Sequence, residues 1–347
     1  MHGPLGVAAE ADDTLHVRCC RGTFHEPDEM QTTLPHADAR ARHALPDVRS
    51  LRVAIVGYGE VGSILGAALS ACGVARVAAF DVLVDDVAWR TRAQERAARD
   101  RVHLAATRAE ALARAQLVLC AVTAASTEAA SRQIAQHVAK DAFVLDLNSA
   151  SPQTKTRCAT LIHEVGGRYV EAAVMTSVPP HGIRAPMLVG GPHAATLLPH
   201  LERLGFDAKL GASTFGVVSA TKLCRSIVIK GMEALIVESL LAARHHGVER
   251  EVLASLGDTF PGLDWERQAT YFWKRVVAHG RRRAEEMQEA AAMVEDAGLM
   301  PHMARATVEV QGAIAAQRAA GVFDAVRGDD WRESADAAHP RKVAGSR

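Results

Sequence analysis

Residues 51–81 read LRVAIVGYGEVGSILGAALSACGVARVAAFD, and this stretch leaves the chain few folds to choose from. Arg52–Val56 is a short β-branched run suited to a strand buried on both faces. It passes straight into Gly57-Tyr58-Gly59-Glu60-Val61-Gly62, a GxGxxG turn. The Leu- and Ala-rich residues 63–71 then suit a helix. Gly73 ends that helix, 75–80 makes a second apolar strand, and Asp81 stands at its C-terminal end.

Each residue type here has a physical reason. Gly57 permits a tight strand-to-helix turn, Gly59 lets the backbone approach a pyrophosphate, and Gly62 lets helix and strand pack closely. The free N–H groups and positive dipole end of the helix face the phosphates. Asp81 is placed to accept hydrogen bonds from ribose hydroxyls. A strand before, a helix after and an acid about 20 residues on are what separate a dinucleotide turn from an ordinary Gly-rich loop. The Asp81 carboxylate repels the 2′-phosphate of NADP, and Val82, Leu83 and Val84 bring no cation, so NAD is the expected cofactor. NADP is the alternative, with Arg90 or Arg92 folding back onto that phosphate.

With 347 residues the chain can bury a large core and is expected to hold two domains. Forty Lys and Arg balance 40 Asp and Glu, which argues against binding nucleic acid or a membrane surface. Of six cysteines only Cys19 and Cys20 are close together, so neither a disulfide framework nor a metal site is expected, and the setting is read as cytoplasmic. His245-His246 has no spaced Cys or carboxylate partner and reads as a solvated helix end. Residues 53–75 are apolar and long enough to span a bilayer, but Glu60 and the glycines inside them fit the nucleotide turn instead.

Residues 1–48 are polar, proline-bearing and aperiodic, and read as a disordered extension, or as the product of a start codon upstream of a true start at Met30. Residues 329–347 read as a flexible tail. Between them, 49–213 is expected to be a dinucleotide-binding α/β domain with a mostly parallel sheet, and 214–328 an all-helical substrate and dimerisation domain.

Beyond Asp81, strands are expected at 102–104, 116–122, 142–147, 168–174, 187–190 and 207–210, separated by helices. Ligands of such sheets lie beyond the carboxyl ends of the strands, which puts Thr123, Asn148 and Ser149 on the cofactor and substrate side. Ser126 or Thr127 is a candidate N-cap for the helix at 126–139, and Ser151 for one starting at Pro152. The loop at 175–184 holds two prolines with His181 and Arg184, either a surface turn or a wall that meets a substrate anion.

Residues 217–243 form a long helix, apolar on nearly all sides and therefore expected to be buried. At about 100° per residue, Lys222, Arg225 and Glu233 fall within roughly 80° of one another, with Lys230 beside them. Buried cations are costly unless paired or facing a ligand cavity. The alternatives are an ion-pair network through Glu233 or Glu238, or a catalytic lysine whose pKa is lowered by burial. A further helix at 265–297 carries Arg281-Arg282-Arg283 followed by Glu285 and Glu286, read as a solvated, salt-bridged face. Residues 303–320 make one more helix.

The GxGxxG domain, the lysine-bearing central helix and the helical second half resemble the β-hydroxyacid dehydrogenase superfamily. The segments AVMTSVPPHG, KLCRSIVIKGMEAL and FPGLDWERQ resemble its 6-phosphogluconate dehydrogenase-like branch, whose C-terminal domain has no assigned function. Asp146-Leu147-Asn148-Ser149-Ala150-Ser151-Pro152 is similar to the family stretch D-x-S-T-x-S-P. Lys222, counted from Gly216, matches the lysine of G-x-G-x-x-x-K-x-x-N-N, which the resemblance makes the general acid/base. Val218 replaces the second glycine, Arg225-Ser226 replaces Asn-Asn, and Glu171-Ala172-Ala173-Val174-Met175-Thr176 replaces the substrate loop. An arginine where an amide is usual suggests a more anionic substrate, because guanidinium binds carboxylate and phosphate bidentately.

The expectation is an NAD-dependent oxidoreductase acting on a small anionic hydroxy acid or keto acid, with Lys222 and Arg225 catalytic. Imine or ketone reduction and a catalytically silent nucleotide binder are the alternatives. A homodimer is expected from the family's helical domain.

Overall fold

The computed structural model describes residues 45–339. The extension expected at 1–48 lies outside the described residues as far as 44, as do Met30, Cys19, Cys20 and the end of the tail from 340. Leu45 already belongs to the packed domain, its N–H donating to His200 Nε2 at 3.1 Å.

The strands are β1 (Arg52–Val56), β2 (Arg76–Phe80), β3 (His103–Leu104), β4 (Leu117–Cys120), β5 (Phe143–Asp146), β6 (Arg168–Val174), β7 (Met187–Gly190) and β8 (Ala208–Ala212). They form one sheet in the order β3-β2-β1-β4-β5-β6-β7-β8, parallel except where β7 runs antiparallel to β6. The central strands read as continuous apolar runs because helices cover both faces. Those helices are α1 (Glu60–Ala71), α2 (Val87–Arg99), α3 (Arg108–Leu112), α4 (Thr127–Ala135), α5 (Pro152–Glu164), the single turn α6 (Val178–His181) and α7 (Ala194–Arg203). The strand order reverses between β1 and β4, which opens a crevice at the carboxyl ends of those two strands.

The second half is helical: α8 (Val217–His246), α9 (Glu249–Thr259), α10 (Trp265–Asp296), α11 (His302–Ala319) and α12 (Trp331–Ala338). Its core gathers Trp265, Phe272, Trp273, Leu240 and Ile314. No helix among the described residues is long and apolar enough to cross a membrane.

Four local expectations need correction. The tail expected to begin at 329 folds as α12 instead, because Trp331 is buried in the helical core and Asp330 caps the helix at the Arg332 N–H. The 175–184 loop coils into α6 and a 3-10 turn, Gly182–Arg184, since Pro179 fits a first helical turn that needs no N–H donor there. Neither Ser126 nor Thr127 caps α4; a 3-10 turn at Ala124–Ser126 leads into it, whereas Ser151 does cap α5 through Thr154 N. Finally, α8 is not buried all round: Val217, Val228 and Leu235 lie exposed along one side.

Candidate active site

The nucleotide turn is built from backbone. Gly57 sits at φ +94°, and a Cβ there would lie 2.4 Å from the Ala121 carbonyl oxygen. A Cβ on Gly62 would stand 1.9 Å from the Gly57 oxygen, so only hydrogen fits. At Gly59 a Cβ would meet nothing within 4 Å, so this glycine borders open space at the head of α1. No side chain caps α1, and its first-turn N–H groups stay free for an anion. Glu60 is exposed and Val61 half-buried, whereas Tyr58 turns its ring into the core, beneath the Arg96 guanidinium at 5.2 Å. Tyr58 therefore contributes its backbone and not its phenol.

Asp81 anchors this turn. Its Oδ2 accepts from Tyr58 N at 2.7 Å and its Oδ1 from Leu83 N at 3.0 Å, leaving each oxygen a lone pair for a ribose hydroxyl. Val82 and Leu83 beside it are exposed, and Arg90 bends back to the Val84 carbonyl oxygen at 3.4 Å. Open backbone at Gly59, free helix N–H groups and a carboxylate at the end of β2 fit a nicotinamide dinucleotide.

Two further strand ends complete this edge. Thr123 Oγ1 lies 3.1 Å from Ser126 Oγ, inside the turn after β4. Asn148 is buried, its Oδ1 accepting from Val122 N at 2.8 Å and its Nδ2 donating to Cys120 Sγ at 3.3 Å. Its amide thus ties β5 to β4, while Ser149 is half-buried with no hydrogen bond among the described residues. Beneath them, Asp146 receives Lys155 Nζ at 3.0 Å and the Tyr169 hydroxyl at 2.5 Å. Glu171, fully buried, accepts Gly216 N at 2.9 Å and so fixes the start of α8. Burial raises its pKa, with Lys155 opposing.

Gly216 caps α8 in the left-handed region at φ +92°. Val218, where the family motif has glycine, fills the space against Gly190 and Gly211, whose Cβ atoms would come within 2.9 and 2.6 Å of it. The missing glycine is compensated by two glycines on the facing strands.

One turn on, the cations of α8 part company. Lys230 pairs with Glu286 at 2.5 Å, and Glu233 is taken by Arg283, by Arg275 at 3.2 Å and by Gln311 at 3.4 Å. Glu238 is exposed. Lys222 has no hydrogen bond or ion pair among the described residues. Burial lowers its pKa to about 8; Glu286 resists this, while Lys230, Lys155 and Arg282 assist it. Burial alone would raise Glu286, but Lys230, Arg282 and Lys222 bring it down to about 2. The ion-pair network and the free lysine therefore coexist on one helix.

Packed against α8 is α10, whose sequence predicts a solvated face. Arg281 is exposed and Arg282 pairs with Glu286 at 2.6 Å, as helical spacing predicts, but Arg283 is buried against Glu233. At about 100° per residue, Arg275, His279, Arg282, Glu286 and Glu289 share one stripe about 80° wide. Both ends of the stripe are pinned to the sheet domain. Arg275 Nη1 reaches Ser177 Oγ at 3.4 Å, and Glu289 Oε2 accepts from Ser151 N at 2.6 Å and Thr154 Oγ1 at 3.2 Å. The signal for this stripe was present as a polar i, i+4, i+7, i+11, i+14 row beside an apolar one.

Other predicted residues are not drawn in. Arg225 is exposed on α8, and His181 and Arg184 are exposed, with no polar contact tying them to Lys222. A hollow of about 360 Å³ lined by Asp141, His163, Arg168, His193 and Thr196 lies at the strand starts, the opposite edge of the sheet. Among the described residues no His, Cys, Asp and Glu cluster could hold a metal.

The model for the NAD binding domain of 6-phosphogluconate dehydrogenase matches residues 52–205, and that of a domain of unknown function (DUF1932) matches 243–314. The crystal structure of a conserved hypothetical protein from Sinorhizobium meliloti 1021 is 36% identical, covering 84% of this chain and 97% of that one, with a TM-score of 0.64. The chain belongs to one family with this Sinorhizobium protein, and its residues 52–205 match the NAD binding domain of 6-phosphogluconate dehydrogenase. MTH1747, a conserved protein of unknown function with structural similarity to 3-hydroxyacid dehydrogenases, is 29% identical over 77% of this chain and 99% of that one, at a TM-score of 0.58. A 3-hydroxyisobutyrate dehydrogenase from Mycobacterium tuberculosis, solved with L-serine, is 19% identical over 78% and 95% at 0.59, and shares the fold. The DUF1932 span takes in α9, α10 and most of α11, and so includes Arg282 and Glu286, the α10 charges that act on Lys222.

Proposed function

We propose that the protein is an NAD-dependent oxidoreductase acting between a small anionic hydroxy acid and its keto counterpart. The observation that carries this reading is Lys222, which among the described residues has no hydrogen bond or ion pair and is held at a pKa of about 8 by burial. Gly57, Gly59, Gly62, the first-turn N–H groups of α1, Asp81 and Thr123 would hold the cofactor, which supplies or accepts a hydride. Asp81 supports NAD over NADP, and Arg90 is the residue through which NADP could enter. As a free amine Lys222 takes the proton of the substrate hydroxyl; as an ammonium it returns that proton during reduction. Arg282, beside Lys222, and Arg225, exposed nearer solvent, provide the positive charge for a substrate carboxylate or phosphate. Ser149 would hold a substrate oxygen, and His181 and Arg184 would act only at the outer rim.

A second copy of the chain covering the exposed row Val217, Val228 and Leu235 of α8 is part of this reading, as is a reducing, cytoplasmic setting for the free cysteines Cys72, Cys120, Cys158 and Cys224. Sedimentation as a monomer would refute the dimer. The reaction is tested by following nicotinamide absorbance with NAD and NADP against hydroxy acids, keto acids and cyclic imines. Turnover confined to imines would overturn the hydroxy-acid assignment.

A further inference from the structure

His279, on the same stripe of α10 as Arg282 and Glu286, also has no hydrogen bond or ion pair among the described residues. It is half-buried, in the middle of the α10 stripe, between the clamp at Ser177 and the clamp at Ser151. The same helix packs on the Ala124–Ser126 turn after β4, and Glu60 at the head of α1 lies within electrostatic reach of His279. Its charged neighbours are Arg275, Arg282 and Arg283 on α10 and, across the gap, Glu60 in the first turn of α1. From α8, Glu233 is saturated by Arg275 and Arg283, Lys230 is bound to Glu286, and Lys222 shares Arg282 as a neighbour. Burial, then Arg282 and Arg275, lower the imidazole pKa, and Glu60 pulls it back up.

We propose that docking of a dinucleotide diphosphate at Gly57–Gly62 drives proton uptake by His279, which then stands as a cation beside Arg282 to receive the anionic end of the substrate. The inference rests on the functional reading above. A diphosphate on the α1 N-terminus places two negative charges in the neighbourhood of Glu60, and negative charge favours the imidazolium. Because such coupling is reciprocal, a proton on His279 must tighten the cofactor in equal measure. It also favours binding of cofactor before anionic substrate.

The test is titration calorimetry of the whole protein with NADH at about pH 7, in buffers of different ionisation enthalpy. The wild type is expected to take up on the order of 0.3 proton per cofactor, and His279→Asn close to none. Affinity of the wild type should tighten several-fold from about pH 8 to about pH 6, while His279→Asn stays nearly flat. Lys222→Met should keep the uptake. Equal uptake in wild type and His279→Asn, or its loss in Lys222→Met, would overturn the inference and leave the functional reading intact. Absence of any NADH binding would overturn both.

Discussion

The nucleotide turn and the α8–α10 cleft are made from different materials. At the turn the decisive atoms are main-chain: glycines that admit no Cβ, free N–H groups, and one carboxylate that locks the loop. In the cleft they are side-chain ends, and what distinguishes Lys222 from Lys230 is whether a carboxylate has reached it. The first kind of site is specified by neighbours in sequence. The second is specified by subtraction, because the groups that stay free are those left over when every pair has formed.

If the two regions are separable, variants should divide cleanly between cofactor affinity and turnover. Lys222→Met should lower kcat by about 10² to 10⁴-fold, the usual contribution of a positioned general acid/base, with NADH affinity held within about threefold. A comparable loss of NADH binding would break the separation. Gly62→Ala should do the reverse, weakening NADH by about tenfold to a hundredfold in calorimetry while the α8–α10 ion pairs persist, since its Cβ would collide with the Gly57 carbonyl oxygen. Unchanged affinity would mean that this turn does not grip the diphosphate. Asp81→Asn should cost about tenfold in NAD affinity and narrow the preference over NADP, as measured by paired titrations.

Smaller effects sharpen the account of the lysine. In wild type, kcat/KM for oxidation should rise with pH through about 8 as Lys222 loses its proton, and for reduction fall through the same range. Glu286→Gln, which removes the charge that supports the ammonium, should move that inflection acidward by about one unit. An unmoved inflection would assign it to another group. Stability has its own sign. A lysine whose folded pKa lies below its unfolded value binds fewer protons when folded, so its penalty is full below about pH 8 and disappears as pH rises past about 10.4. Lys222→Met should therefore stabilise the fold near neutrality by on the order of 1 kcal/mol in denaturant titration, after allowance for partial exposure. No gain would indicate that the ammonium is better hydrated than its surroundings suggest.

This contrast also explains what could be read in advance. The strand–turn–helix of β1 and α1, Asp81, the start of α8 and the cap at Ser151 are local patterns, and each appears where the spacing put it. Lys222 could be singled out as one of several cations on an apolar helix, but its release required knowing that Glu286 goes to Lys230 and Arg282. Arg283 read as surface because its partner Glu233 stands 50 positions away. The role of Glu289 depends on Ser151, 138 positions away, and no helical periodicity reports that distance. Trp331 was lost in a polar context, although one indole can hold a short helix onto a core if a groove awaits it.

The two clamps on α10, Arg275 at Ser177 and Glu289 at Ser151, have a mechanical consequence. A beam bolted at both ends does not swing, so the halves of this molecule are braced against hinge-like opening.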